Sequence, residues 1–329
     1  MKTFTRSLMV QFEDIQEALV RIKDIINHTP VMSSRTLNAM LNASVYFKCE
    51  NFQRMGAFKF RGAYNAISQL TPEQQAGGII THSSGNHAQA VALAAQLLGI
   101  HATIVMPDAA PRVKVEATRG YGGEVVFCEN TLAAREATTN ELIDQFGYTL
   151  IHPYDNDSVI CGQGTAALEL LQEVGDLNLM FAPVGGGGLV SGTAIAAKGF
   201  NPEMKVYACE PQLADDAYRS MQVGKIQTND HPITIADGLR TNLCDRTFTI
   251  IQQYVDQILL VSEEEILAAM RFLWERMKIV VEPSGAVPLA AVLSQQVPVK
   301  GQKIGVILSG GNVDLADFFQ LLESKITKS

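Results

Sequence analysis

The sequence predicts an α/β protein of two three-layer α/β/α lobes with mostly parallel sheets, and three observations carry that prediction. Strand-like runs recur at 45–49, 78–82, 102–106, 124–128, 149–152, 179–184, 205–209, 257–261 and 303–308. Helical stretches lie between most of them, at 88–98, 132–146, 159–174 and 190–198, and that alternation means parallel strands with helices on both faces. At 329 residues the chain exceeds the size at which one core keeps growing, so two lobes are expected. The boundaries read as 1–70 with 149–329 for the larger lobe and 71–148 for the smaller. No period of 20 to 50 residues recurs, which excludes solenoids.

In chain order, 12–26 has helical apolar spacing through Ile15, Leu19, Ile22, Ile25 and Ile26, and Thr29-Pro30 ends it. The run 45–49 alternates like a strand and leads into Met55-Gly56-Ala57-Phe58-Lys59-Phe60-Arg61-Gly62-Ala63-Tyr64-Asn65. A helix follows over 60–70, stopped by Thr71-Pro72. Lys59 is the unusual residue, because it stands between two phenylalanines and glycine-flanked at the start of an apolar helix. Apolar neighbours disfavour an ammonium, and the neutral amine can add to an aldehyde. Lys59 therefore reads as the Schiff-base lysine of a pyridoxal-phosphate enzyme. Taken alone, it reads first as an exposed lysine beside two core phenylalanines, and the rest of the chain overturns that.

Composition narrows the field. A net charge of -8 with no offsetting Lys/Arg cluster argues against nucleic acid. No apolar run reaches the roughly 18 to 20 residues that span a bilayer, so no membrane partner is expected. The start, Met1 to Ser7, is slightly basic but lacks a signal-peptide apolar run. Five scattered cysteines, Cys49, Cys128, Cys161, Cys209 and Cys244, show no C-x-x-C spacing and suit a reducing cytoplasm.

In parallel sheets ligands bind beyond the carboxyl ends of strands, and three loops in that position stand out. Val184-Gly185-Gly186-Gly187-Gly188-Leu189 joins a strand to a helix, so its N–H groups and the helix N-terminus suit an anion. No lysine follows in Walker position, so a nucleotide P-loop fails. Glu210 lies 22 residues after Gly188, where a dinucleotide fold has its acidic residue, yet every G-x-G-x-x-G register fails at the third glycine. A nicotinamide dehydrogenase is thus the alternative. Thr81-His82-Ser83-Ser84-Gly85-Asn86-His87 offers hydroxyls, an amide and N–H groups at a helix start. These suit a carboxylate, and Asn86 suits a phenolic oxygen; simple N-caps are the other reading. Leu308-Ser309-Gly310-Gly311-Asn312 again reads as strand into helix, and Ser309 can meet a heterocyclic nitrogen. With Lys59, the loops supply every handle on pyridoxal phosphate.

Seven segments resemble the fold-type II pyridoxal-phosphate enzymes, in the serine/threonine dehydratase and serine racemase branch. They are Gly56-Ala57-Phe58-Lys59-Phe60-Arg61-Gly62, Ser83-Ser84-Gly85-Asn86-His87, Gly162-Gln163-Gly164-Thr165 and Pro183-Val184-Gly185-Gly186-Gly187-Gly188-Leu189, then Ile235-Ala236-Asp237-Gly238, Glu282-Pro283-Ser284-Gly285-Ala286 and Ser309-Gly310-Gly311-Asn312. They run in the family's order over about residues 12–315, departing at Ala57, where most members have serine.

The resemblance implies a cofactor in the cleft between the lobes, joined to Lys59, with Phe58 beside its ring. Asn86 meets the 3-hydroxyl, Gly185, Gly186, Gly187, Gly188 and Leu189 hold the phosphate, and Ser309 meets the pyridine nitrogen. Ser84 lies on the ring face opposite Lys59 as a second proton donor or acceptor. Ser83, Ser84, Gly85, Asn86 and His87 receive the substrate carboxylate. A neutral serine at the ring nitrogen implies loss of a β-substituent rather than transamination. Lys59 takes the α-proton, the β-hydroxyl leaves, and a 2-oxo acid and ammonia result; proton return from Ser84 instead gives the enantiomer.

Glu210-Pro211-Gln212-Leu213-Ala214-Asp215-Asp216 resembles the divalent-cation loop of serine racemases. Glu210, the Ala214 carbonyl and Asp216 are then ligands of a structural or activating Mg²⁺, Ca²⁺ or Mn²⁺. From spacing alone the acids read rather as decoration of a helix N-terminus, and the resemblance reverses that. Three substrates compete, L-serine, L-threonine and threo-3-hydroxyaspartate, and Arg135, if it faces the cleft, binds the extra carboxylate of the last. The chain ends soon after Asn312-Val313-Asp314-Leu315, so a regulatory domain and isoleucine feedback are not expected. The family suggests a homodimer. A non-catalytic small-molecule binder on the same scaffold is the third class.

Overall fold

Continuous apolar strand runs need cover on both faces, and the chain provides it twice. The computed structural model describes residues 9–230 and 232–314. The larger sheet contains β1 (Val31–Ser33), β2 (Ser44–Cys49), β7 (Leu179–Pro183), β8 (Lys205–Pro211), β9 (Gln257–Val261) and β10 (Lys303–Leu308), in the order β1-β2-β10-β7-β8-β9. All its pairings are parallel except the short edge strand β1 against β2. The smaller sheet contains β3 (Ile79–His82), β4 (Ala102–Pro107), β5 (Glu124–Cys128) and β6 (Thr149–Leu150), all parallel, in the order β5-β4-β3-β6.

Three sequence boundaries move. The helix expected at 60–70 covers Lys59–Ile67, and Thr71 caps a separate helix, Pro72–Gly77, because proline is at ease in a first helical turn. The strand expected at 149–152 is only Thr149–Leu150, and it pairs with Ile79 and Ile80 of the smaller sheet. The boundary drawn at 148/149 therefore cuts that sheet, because the pairing partner decides where a short strand belongs. The first helix covers Phe12–Ile22 rather than 12–26; it tapers into a turn in which Ile25 N and Ile26 N both bond the Ile22 carbonyl, and Ile26 stays buried, so apolar spacing outlasts the helix. The helix expected after Asn312 and the basic start at Met1 to Ser7 lie outside the described residues.

Helices Phe12–Ile22, Asp157–Val174 and Gly188–Phe200 cover one face of the larger sheet, and Arg35–Leu41, Glu263–Phe272 and Pro283–Leu293 the other. A third apolar cluster joins the lobes through Lys59–Ile67 and Asn86–Leu98. The Gly162 motif has a packing reason. A Cβ on Gly162 would come 2.6 Å from the Arg61 carbonyl, and one on Gly164 would come 2.8 Å from the Gly192 carbonyl. Only glycine lets these helices approach backbone to backbone.

Beneath the lysine helix lies a buried charge network. Arg61, fully buried, donates to Glu50 at 2.7 and 2.9 Å and to Glu169 at 2.9 and 2.8 Å. Lys48 pairs with Glu169 at 2.7 Å and donates to the Thr29 carbonyl at 2.6 Å. Two cations balance two carboxylates, so the group carries no net charge, which is the condition for burying ions at tolerable cost.

Candidate active site

The turn before Lys59 is strained and clamped. Met55 has φ 52° and Gly56 φ 78°, a left-handed pair in which the methionine costs about 1 kcal/mol. The C-terminal loop holds it. Asn312 Nδ2 donates to the Met55 carbonyl at 2.8 Å, Gly311 N to the Gly56 carbonyl at 2.9 Å, and Phe58 N to the Ser309 carbonyl at 3.0 Å. Ala57 bridges Gly310. The lysine stretch and the Leu308-to-Asn312 loop are thus one structural unit, and Ser309 is buried within it.

Lys59 opens the Lys59–Ile67 helix with its amine directed inward. Nζ donates to the Pro153 carbonyl at 3.0 Å and lies 5.2 Å from the centroid of the Phe58 ring. Burial pushes its ammonium down to about 8, the direction expected from its apolar neighbours. Next in chain, Tyr154 lays its ring against Gly186, while a Cβ on Gly188 would come 3.0 Å from the Tyr154 Cβ. The amine therefore reaches the segment that packs on the tetraglycine loop.

That loop is buried throughout. Gly187, at φ 89°, caps the Gly188–Phe200 helix without a side-chain acceptor for its first-turn N–H groups. A Cβ on Gly185 would lie 3.0 Å from Leu239 Cα and 3.1 Å from the Gly238 carbonyl. A buried turn that excludes side chains and presents a helix N-terminus fits a phosphate. Leu189 itself packs in the core, so its side chain is structural and only its backbone faces the loop.

The second loop leaves β3 at His82. Ser83 N donates to the Val105 carbonyl at 3.1 Å, Ser84 is half-buried, and a Cβ on Gly85 would meet nothing within 4 Å. Space therefore opens directly above the start of the Asn86–Leu98 helix. Asn86 joins the other elements: Nδ2 donates to Glu282 Oε1 at 2.9 Å, and Oδ1 accepts from Asn312 Nδ2 at 2.8 Å. Burial, then Asp237, push the Glu282 carboxyl up to about 8, so it is largely protonated at neutral pH. His87 places Nε2 2.9 Å from the Ile151 carbonyl, and Nδ1 has no partner among the described residues.

Three imidazoles surround this region and all are held neutral. Burial and the nearby Lys59 charge keep His87 well below its usual range. Burial, then His82, push His152 down to about 4, and burial, then Arg135, lower His82. His152 stacks edge-on with His82 and with Tyr154, at 5.8 and 4.7 Å between centroids. Burial pushes the Tyr154 phenol up to about 12.

Arg135 sits in the first turn of the Leu132–Phe146 helix, half-buried, with Nε donating to the Thr131 carbonyl at 3.3 Å. Its charge contributes to lowering His82, the last residue of β3.

The acidic loop lies apart, at the end of β8. Glu210 accepts from Ala217 N at 2.9 Å and Tyr218 N at 2.8 Å, and Asp216 Oδ2 is buried with no hydrogen-bond partner among the described residues. Burial, then Asp216, push Glu210 well above the carboxylate range, and burial pushes Asp216 up to about 7. Asp215 turns away to Arg219 at 2.9 Å. Among the described residues no three His, Cys, Asp or Glu side chains converge as a metal cluster. Two buried acids, an orphaned oxygen and the buried Ala214 nevertheless fit a hard cation with a carbonyl ligand.

Several contributors were not singled out from the sequence. Glu282 and Asn312 lie inside segments already noted, but their pairing with Asn86 spans 196 and 226 residues. Tyr154 and the Pro153 carbonyl follow β6, the position after a parallel strand where ligand contacts gather.

Comparison with known proteins agrees with this geometry. A family described as pyridoxal-phosphate dependent enzyme matches residues 22–310. A serine racemase of Dictyostelium discoideum is 50% identical over 317 residues, covering 95% of this chain and 98% of that protein. Its crystal structure superposes with a TM-score of 0.89 over 93% of this chain and 99% of the other. An L-threo-3-hydroxyaspartate ammonia-lyase of Saccharomyces cerevisiae is 49% identical over 315 residues, covering 95% and 97%. The structure of maize serine racemase, 44% identical, gives a TM-score of 0.92 over 97% of this chain and 98% of the other. With the inward lysine, the glycine loop and the two-sheet architecture, these matches establish the family. The chain belongs to the pyridoxal-phosphate dependent enzymes and has the fold-type II architecture.

Proposed function

We propose that the protein dehydrates and deaminates a small β-hydroxy amino acid, L-serine, L-threonine or threo-3-hydroxyaspartate, to a 2-oxo acid and ammonia, with serine racemisation as a second outcome. One observation carries the reading: the desolvated Lys59 amine lies between Phe58 and the segment packed on the glycine loop. The names of the relatives and of a threonine deaminase of similar structure, 45% identical, supply the substrate range.

Gly185, Gly186, Gly187 and Gly188 would hold the cofactor phosphate, Asn86 its phenolic oxygen and Ser309 its ring nitrogen. When bound, pyridoxal phosphate withdraws electrons from an attached amino acid and acidifies its α-hydrogen. The loop of Ser83, Ser84, Gly85, Asn86 and His87 orients the substrate carboxylate on a helix N-terminus. Lys59, partly neutral near pH 8 because it is desolvated, takes the α-proton at Nζ and returns one to the departing β-hydroxyl. Ser84 on the opposite side holds or delivers a proton, which is the step racemisation needs. Arg135 receives a β-carboxylate where the substrate has one. Glu210, the Ala214 carbonyl and Asp216 hold Mg²⁺ or a similar cation away from the chemistry. A homodimer in a reducing cytoplasm completes the reading; five free thiols suit that compartment, and among the described residues no helix is long and apolar enough to cross a membrane.

The test is a substrate panel with chiral product analysis, with and without Mg²⁺. Ammonia and 2-oxo acid from at least one of the three substrates are expected. Losing one charged hydrogen bond, worth about 1.5–3 kcal/mol, should cost Arg135→Ala about 10- to 100-fold in kcat/KM for hydroxyaspartate alone. No turnover of any of the three by the cofactor-loaded enzyme would overturn the proposal, and an equal loss on all three would remove Arg135 from it.

A further inference from the structure

The Ile235-Ala236-Asp237-Gly238 segment has no part in the chemistry derived above, and its placement gives it another one. Asp237 begins a single helical turn, Asp237–Leu239, at the edge of the larger lobe. That turn is firmly held: Gly238 N donates to Ser284 Oγ at 3.0 Å, Ile235 N to Glu263 Oε2 at 2.7 Å, and Leu239 is buried. It also walls the glycine loop, through the Gly185 approach to Leu239 and Gly238. From the smaller lobe, Lys114 on the Arg112–Gly120 helix reaches across to Asp237 Oδ2 at 2.6 Å, spanning 123 residues of chain. Among the described residues every other ion pair stays within one lobe.

We infer that Lys114 and Asp237 form a latch between the lobes, positioning the substrate-binding loop of the smaller lobe over the glycine loop of the larger one. The pair lies beside a second polar bridge between lobes, in which Asn86 bonds Glu282 and Asn312, since both Asp237 and Lys114 act on the Glu282 carboxyl. The two bridges hold different helices of the smaller lobe. Asn86–Glu282 fixes the start of the Asn86–Leu98 helix, and Lys114–Asp237 fixes the helix that follows β4. Lys114 is 27% exposed and Asp237 46%, so water screens the pair and it can break and re-form. An exposed ion pair shifts an equilibrium by about two- to fivefold, a strength suited to holding substrate in while letting product leave.

The turnover part of this inference rests on the proposed reaction; the motion it describes does not, and the test separates them. In the holoenzyme, Lys114→Met and Asp237→Asn should each raise KM for L-serine about two- to fivefold, with kcat changed less than twofold. Amide hydrogen exchange across Arg112–Gly120 should accelerate in both variants, measured without substrate. The swapped double variant, Lys114→Asp with Asp237→Lys, should restore slow exchange and low KM. Exchange unchanged in the single variants, or a swapped variant no better than either single one, would overturn the latch. If the wild type turns over no hydroxy amino acid, the proposed reaction fails, and exchange alone decides the latch.

Discussion

Replacing Glu282 by glutamine separates a carboxyl that works as a neutral hydrogen-bonding group from one that works as an anion. Glu282 is 4% exposed, receives the Asn86 amide at 2.9 Å, and lies so close to Gly310 that a Cβ there would meet its Oε1 at 2.5 Å. Burial, with Asp237 adding to it, moves the group from 4.5 to about 8. The folded state then keeps a proton that the unfolded chain releases. The stabilisation is complete below pH 4.5 and is lost as pH rises through about 8. At about 1.36 kcal/mol per pH unit the ceiling is about 5 kcal/mol, and relaxation around the site reduces it to a few kcal/mol. Glutamine keeps the oxygen that Asn86 bonds and never ionises. Urea unfolding should therefore find wild type and Glu282→Gln within about 1 kcal/mol at pH 5, with the variant at least about 2 kcal/mol the more stable at pH 9. Parallel curves across that range would refute the protonated carboxyl. A variant that is much weaker already at pH 5 would show that the amide does not fit, and the assignment of Asn86 as its donor would fall.

Three further outcomes follow from the packing. Gly186→Ala forces its methyl into the Tyr154 ring, so pyridoxal phosphate should bind at least about tenfold more weakly while far-UV circular dichroism stays native; unchanged affinity would mean that the ring is not part of the cradle. Arg61→Met leaves Glu50 and Glu169 facing Lys48 alone, and urea titration should show a loss of about 3–5 kcal/mol, with Arg61→Lys recovering only part because one ammonium cannot serve both carboxylates; a loss under about 1 kcal/mol would mean that the network is relaxed or hydrated. Chelation should lower the Tm of the wild type, since a cation at 100 times its Kd contributes about 2.7 kcal/mol, and should leave Asp216→Asn unmoved; an equal shift in both would place the cation elsewhere.

How much of this was legible in the sequence depends on the range of the interaction. Lys59 between two phenylalanines, four consecutive glycines after a strand, and Ser309 before paired glycines are local departures from ordinary composition, and the fold brings them together through Phe58–Ser309, Lys59–Pro153 and Tyr154–Gly186. The parallel sheets were equally readable, because a strand buried on both faces is apolar along its whole length. β1 was not, since three residues carry no periodicity, and it exists only because β2 offers it an edge. The short reach of β6 into the smaller sheet was hidden for the same reason. Nothing in the sequence around Arg61 marks it as buried. Its burial is decided by Glu50 and Glu169, and the second of these lies 108 residues away. The Asn86, Glu282 and Asn312 chain, the Tyr154 ring on the glycine loop and the Lys114–Asp237 pair are also long-range matches between individually ordinary residues. Arg135 shows the limit from the other side: among the described residues its side chain donates to the Thr131 carbonyl at the start of its own helix, and what it binds is a matter for the substrate panel.

The central claim is that the amine of Lys59 carries the cofactor. Borohydride reduction of the yellow holoenzyme, followed by proteolysis and mass mapping, tests it most directly. The account predicts loss of colour and one pyridoxyl-phosphate adduct, on the peptide containing Lys59, with none in Lys59→Ala. An adduct on any other lysine, or a coloured protein that borohydride leaves unlabelled, would contradict it.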